Sequence, residues 1–276
     1  MKKDEVCHKL KDVTYIINIY QGNELVSQGT GVCINERGDL LTAAHVLSGS
    51  LPVKTEDIKN LIILAKKEGG EFKSYSIVVC GLSISVSQLK SPVTFDLAVL
   101  RNSVEQVGID YLEVCKKPLR MGEDILMVGY SDEVSLPFAF EENIDYKKAE
   151  FQGLQEVFKN ALQSNMRFSM FKSGMVGRCY NVTFTDPKIG DITGFTFYID
   201  NVMHSGSSGG PVVNTECKLV GIITQRAITP FSTENSPGMQ VPSGSTIAVS
   251  AYSVLDYLEA VNCKSEAYVP WHPSTT

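Results

Sequence analysis

Short β-branched and aromatic runs, broken by turn residues at intervals of roughly 8 to 12 positions, fill the first part of this chain, a spacing that suits barrels and sandwiches. Val13 to Tyr20 is one such run, Gln21-Gly22-Asn23 turns it, and Leu25 to Ile34 returns. Asn35 to Asp39 turns again before Leu40-Leu41-Thr42, which predicts a three-stranded meander. Leu61 to Ala65 and Tyr75 to Cys80 flank the turn-like Lys66 to Gly70, and Leu97 to Leu100 reads as a buried closing strand. About six strands result, enough for one barrel.

The whole chain has 276 residues, sufficient for one large barrel domain or two smaller ones. Its second half opens with the strand Asp124 to Val128 and a loop rich in Ser, Asp and Pro. From Lys147 the rhythm turns helical: Phe151, Leu154, Phe158, Ala161 and Leu162 predict one apolar stripe on a helix ending near Ser164. Strand patterns resume at Met175, Phe195 and Leu219. Tyr252 to Val261, with Val254, Leu255, Leu258 and Val261 on one face, predicts a terminal helix, and the tail after Cys263 is expected to be disordered.

Composition excludes several classes. A formal net charge of -6 without a lysine run argues against a nucleic-acid partner. No apolar run approaches the roughly 20 residues that span a bilayer, so no membrane partner is expected. The polar start, Met1 to His8, lacks the apolar stretch of an export signal. The 7 cysteines are odd in number, scattered and without close Cys/His pairs, which predicts reduced thiols in a cytoplasmic protein. Neither a metal nor an organic cofactor has a visible site.

The chain has 4 histidines to serve as a base. His45 follows a strand, among the small residues of Thr42-Ala43-Ala44-His45-Val46. His8 and His272 sit in termini expected to be loose, while His204 reads as a wall position beside Ser208. Ser208 lies in Gly206-Ser207-Ser208-Gly209-Gly210-Pro211, where glycines permit a tight turn aiming the amides of Gly206 and Ser208 into one hollow. Alone, that hexapeptide also fits an ordinary glycine-rich turn. Asp96 is the lone acid of Thr94-Phe95-Asp96-Leu97-Ala98-Val99-Leu100. A buried carboxylate needs a partner, and the imidazole of His45 suits it, against the plainer reading of a strand-initiating surface acid.

The chain order His, Asp, Ser and its surrounding blocks resemble the chymotrypsin-fold serine proteases, in particular the bacterial HtrA/Deg-like or general trypsin-like branch without a PDZ domain. Gly29-Thr30-Gly31-Val32 leading to Leu41-Thr42-Ala43-Ala44-His45-Val46 is similar to the family's histidine block, and Phe95 to Leu100 to its aspartate block. Leu119 to Asp124 followed by Val128-Gly129-Tyr130 is similar to the approach to a second barrel. Lys172 to Val176, Asp200 to Pro211 and Leu219 to Ile222 resemble the strand, serine block and sequel that follow.

That resemblance implies an all-β, chymotrypsin-like double β-barrel, with an inserted helix in the second half and a C-terminal helix. Residues 1–112 would form the first barrel with His45 and Asp96, 113–263 the second with Ser208, and 264–276 a tail. It further implies a serine endopeptidase acting on protein or peptide substrates, with His45, Asp96 and Ser208 catalytic and Gly206 and Ser208 forming the oxyanion hole. Val202, Met203, Ile223, Thr224, Gln225 and Arg226 would line the substrate pocket. No acid stands at its base, so small or medium aliphatic residues are the expected preference. Ser207 stands where an acid would be needed for an N-terminal ion pair, and no PDZ-like domain is seen, which leaves a regulatory protein partner open. The segment from Ser131 to Phe171 is long for the family; its stripe favours packing on the barrel over a lid. A non-catalytic peptide-binding module and an esterase are the rival readings.

Overall fold

The computed structural model describes residues 2–84, 93–104, 108–131, 168–186, 190–233 and 236–252. Its first half carries β1 (Thr14–Gln21), β2 (Glu24–Cys33), β3 (Leu40–Thr42), β4 (Leu61–Lys67), β5 (Lys73–Ile84) and β6 (Val93–Asn102). These close a barrel in the order β1-β2-β3-β6-β5-β4. The second half supplies β7 (Asp124–Tyr130), β8 (Ser169–Asp186), β9 (Gly190–Ile199), β10 (Pro211–Asn214), β11 (Leu219–Thr233) and β12 (Ser236–Ser250). They close a second barrel, β10-β11-β12-β9-β8-β7. The architecture is therefore the expected double barrel, with every neighbouring pair antiparallel.

Burial explains which sequence signals were strong. Ile17, Ile19, Leu40, Leu41, Leu97 and Leu100 are fully enclosed in the first core, while Phe197 and Ile199 are enclosed in the second. The first cluster also takes in Val128, Val213, Leu219 and Ile222, so one continuous apolar core reaches from the first barrel into the second. That continuity opposes sliding of one barrel on the other, since apolar area would return to water.

The polar start departs from the expectation of a loose terminus. Residues Lys3–Val13 form helix α1, with Val6, Leu10 and Val13 buried in the first core at spacings of four and three. Asp4 and Glu5 stand in its first turn, where acids favour the positive end of the helix dipole. Lys11 pairs with Glu68 at 2.7 Å. His8 thus belongs to an ordered helix. Asn181-Val182-Thr183 lies within β8. The inserted helix expected over 147–164 and, apart from Tyr252, the terminal helix over 252–261 lie outside the described residues, as does the 264–276 tail.

Candidate active site

Strand register brings His45 and Asp96 together. β3 runs against β6 with Leu40 opposite Leu100, Leu41 opposite Val99 and Thr42 opposite Ala98. Continuing that antiparallel count two residues past the strand end sets Asp96 beside Ala44 and His45. There the short helix α2 (Ala44–Ser48) begins, its Ala44, Val46 and Leu47 buried, which leaves the histidine side chain part-exposed. Asp96 Oδ2 lies 2.7 Å from His45 Nδ1, and Asp96 Oδ1 accepts the His45 backbone N–H at 3.0 Å. A carboxylate on Nδ1 holds the proton on that nitrogen in the neutral ring, so Nε2 is left as the acceptor. Cys80 lies close by, its thiol 3.8 Å from Ala44 O. Burial first, and the Asp96 carboxylate second, push that thiol up to about 12.

Ser208 comes from the turn that precedes β10. Gly206 (φ 80°) and Gly209 (φ 84°) both hold left-handed backbone conformations that only glycine adopts without strain. Gly209 has a second restriction, because a Cβ there would stand 2.1 Å from Thr30 O and Thr42 Oγ1 and 2.9 Å from Ala43 N. Gly29 separates α2 from the same turn: its Cβ would meet Val46 at 2.6 Å and Ser208 O at 3.1 Å. The helix bearing His45 and the turn bearing Ser208 therefore face each other across one residue that has no side chain.

Amide usage within the turn is uneven. Ser207 N–H donates to His204 O, Gly209 N–H to Ile223 O and Gly210 N–H to Ser207 O. The N–H groups of Gly206 and Ser208 donate to no acceptor among the described residues. Two uncommitted donors on either side of Ser207 suit a developing negative charge. The Ser208 hydroxyl donates to Thr224 O at 3.4 Å, and among the described residues it makes no hydrogen bond to the His45 ring.

The expected pocket residues divide. Met203 and Ile223 are buried in the second core, and Thr224 Oγ1 donates to Ile247 O. Val202 and Arg226 are half-buried and Gln225 is exposed. His204 is half-buried beside the turn. Sequence reasoning missed Lys172, whose ammonium donates to Val202 O at 2.6 Å. A lone lysine on a β-strand carries no signal of such a role, because the contact joins residues 30 positions apart.

The chain matches the model of the trypsin-like peptidase domain over residues 29–222, well over half its length. It belongs to that family. The peptidase is accordingly a trypsin-like serine protease, a hydrolase that acts on protein substrates. Among solved structures it is similar to the Rv3671c protease in its inactive form, with a TM-score of 0.56, 14% identity, 95% of this chain and 93% of that chain covered. It is also similar to the active form of the Rv3671c protease from M. tuberculosis, with a TM-score of 0.55, 15% identity, and 97% and 86% covered. At such identity the likeness is one of fold. No curated protein sequence matches the chain.

Proposed function

We propose that this protein is a serine endopeptidase in which Ser208 is the nucleophile, His45 the general base and Asp96 the residue that fixes the imidazole. Ser208 Oγ attacks the scissile carbonyl carbon while its proton passes to His45 Nε2. The carbonyl electron pair moves onto oxygen, where the N–H groups of Gly206 and Ser208 receive it. Collapse of that adduct breaks the C–N bond, and the leaving amine takes the proton from His45 Nε2. Water then repeats the sequence on the acyl-enzyme and restores Ser208. Before attack the serine turns about its χ1 bond from Thr224 O toward the imidazole; catalytic hydrogen bonds of this kind commonly tighten only once substrate binds.

The observation that carries this reading is the 2.7 Å pairing of His45 Nδ1 with Asp96, residues 51 positions apart. Labelling by a fluorophosphonate tests it. Wild type is expected to be labelled and to cut casein, and Ser208→Ala to do neither; undiminished labelling of Ser208→Ala rules out Ser208 as the nucleophile.

For the cleaved position we retain a small or medium aliphatic residue. Two facts support it: none of the six residues expected to line the pocket is acidic, and the Lys172 ammonium sits on Val202 O, where it repels a basic side chain. Dominant cleavage after Arg or Lys in a peptide library defeats this preference. Free thiols at Cys7, Cys33, Cys80, Cys115, Cys179 and Cys217 support residence in a reducing compartment such as the cytoplasm, which fractionation of its host cells checks.

A further inference from the structure

An oxyanion hole works only if its donors are already aimed, since reorganisation at the moment of reaction raises the barrier. In this turn the aim is not secured by local chain stiffness, because Gly206, at φ 80°, lets the peptide planes on either side rotate freely. To the turn's own bonds, Ser207 N–H to His204 O and Gly209 N–H to Ile223 O, the other barrel adds two. Thr30 Oγ1 donates to Gly206 O at 2.9 Å, and Thr30 N–H donates to Ser208 O at 2.8 Å. One residue of β2 therefore grips the carbonyls of both residues whose amides are uncommitted.

Thr30 is itself held on every side. Its hydroxyl accepts Tyr130 N–H at 3.0 Å, so that oxygen both donates and accepts. Its carbonyl accepts Thr42 Oγ1 at 2.6 Å. Thr30 is fully buried, and β2 carries it opposite Ile16 of β1. Thr42 is the last residue of β3, three positions before His45. The chain of contacts Thr42, Thr30, Gly206 and Ser208 thus ties the strand that positions the base to the turn that supplies the oxyanion donors.

We propose that Thr30 is a positioning residue for the oxyanion hole, acting through the carbonyls of Gly206 and Ser208 without touching substrate. The inference rests on the serine-protease reading above. Its hydroxyl is the group that matters: valine keeps the shape but leaves the buried Gly206 C=O and Tyr130 N–H without their partner.

The experiment is the pre-steady-state burst with 4-nitrophenyl acetate, which separates the acylation rate constant from the ester's binding constant. Thr30→Val is expected to slow acylation about ten- to a hundred-fold, less than the loss of a whole donor, with the binding constant nearly unchanged. Thr30→Ser, which restores the hydroxyl, is expected to acylate within about threefold of wild type. A purely structural threonine predicts something else: Thr30→Val melts lower, yet its folded fraction acylates at the wild-type rate. That result overturns the proposal, as does a Thr30→Ser variant as slow as Thr30→Val. Should Thr30→Val not fold, Thr30→Cys, a weak donor of similar volume, replaces it, and acylation at the wild-type rate again overturns the proposal. Failure of the underlying reading looks different, because wild type itself then gives no burst and takes no fluorophosphonate.

Discussion

The carboxylate of Asp96 spends one oxygen on the backbone of His45 and the other on its ring. That division makes a sharp prediction. In Asp96→Asn the amide oxygen continues to accept the His45 N–H, which turns the NH2 toward Nδ1 and forces the ring proton onto Nε2, the wrong tautomer for a base. Acylation is expected to fall about 10³- to 10⁴-fold while the melting temperature changes little; a fall below tenfold contradicts the role given to Asp96. Gly209→Ala is expected to lose activity and stability together, since its new methyl would overlap backbone and hydroxyl atoms of Thr30 and Thr42; a folded, active variant refutes the packing described. His45 and Asp96 stood out because a histidine among small residues and a lone acid in an apolar strand are uncommon, and the structure pairs them at 2.7 Å; Ser208 stood out only beside them, since serine in a glycine-rich turn is ordinary. Thr30 did not, because threonine in a strand is ordinary and its role lies in a contact 176 positions away.

Among the elements, β1 to β7 were readable within a few residues, since β-branched runs between turns leave little choice of conformation. β12 was not, because Pro237, Gly238, Pro242 and Gly244 read as turn residues. It is a strand because β11 runs beside it from Ser236 to Ser250, with register shifts that absorb irregular residues, while β9 pairs its end from Thr246 to Val249. Helix α1 was missed for the opposite reason: six charged residues among its eleven masked a stripe of three apolar ones. That stripe is load on the fold. Leu10→Ala is expected to destabilise by about 2–5 kcal/mol in urea unfolding, with the acylation rate of the folded protein unchanged; a loss below about 0.5 kcal/mol argues that α1 merely rests on the barrel.

At the scale of the whole molecule, burial sets the response to alkaline pH. It pushes the thiols of Cys33 and Cys80 from 9.0 up to about 12, and it raises the phenols of Tyr15, Tyr75 and Tyr130 as well. For the two thiols, above pH 9 the unfolded chain releases protons that the folded protein retains, so the folded state binds more protons and stability falls as pH rises toward about 12. Below pH 9 their contribution is complete. The urea midpoint is therefore expected to drop steadily from pH 9 to 11, less steeply in Cys80→Ala; a flat profile refutes this burial. The sequence by itself determined the β-rich character of the chain and the chemical types proposed for the site, in their order, because local alternation and residue chemistry are local properties. The tertiary structure decided which carbonyls Thr30 grips, which amides stay uncommitted and which expected pocket residues are core. Those depend on strand register and barrel closure, which bring distant positions into contact and which no local stretch encodes.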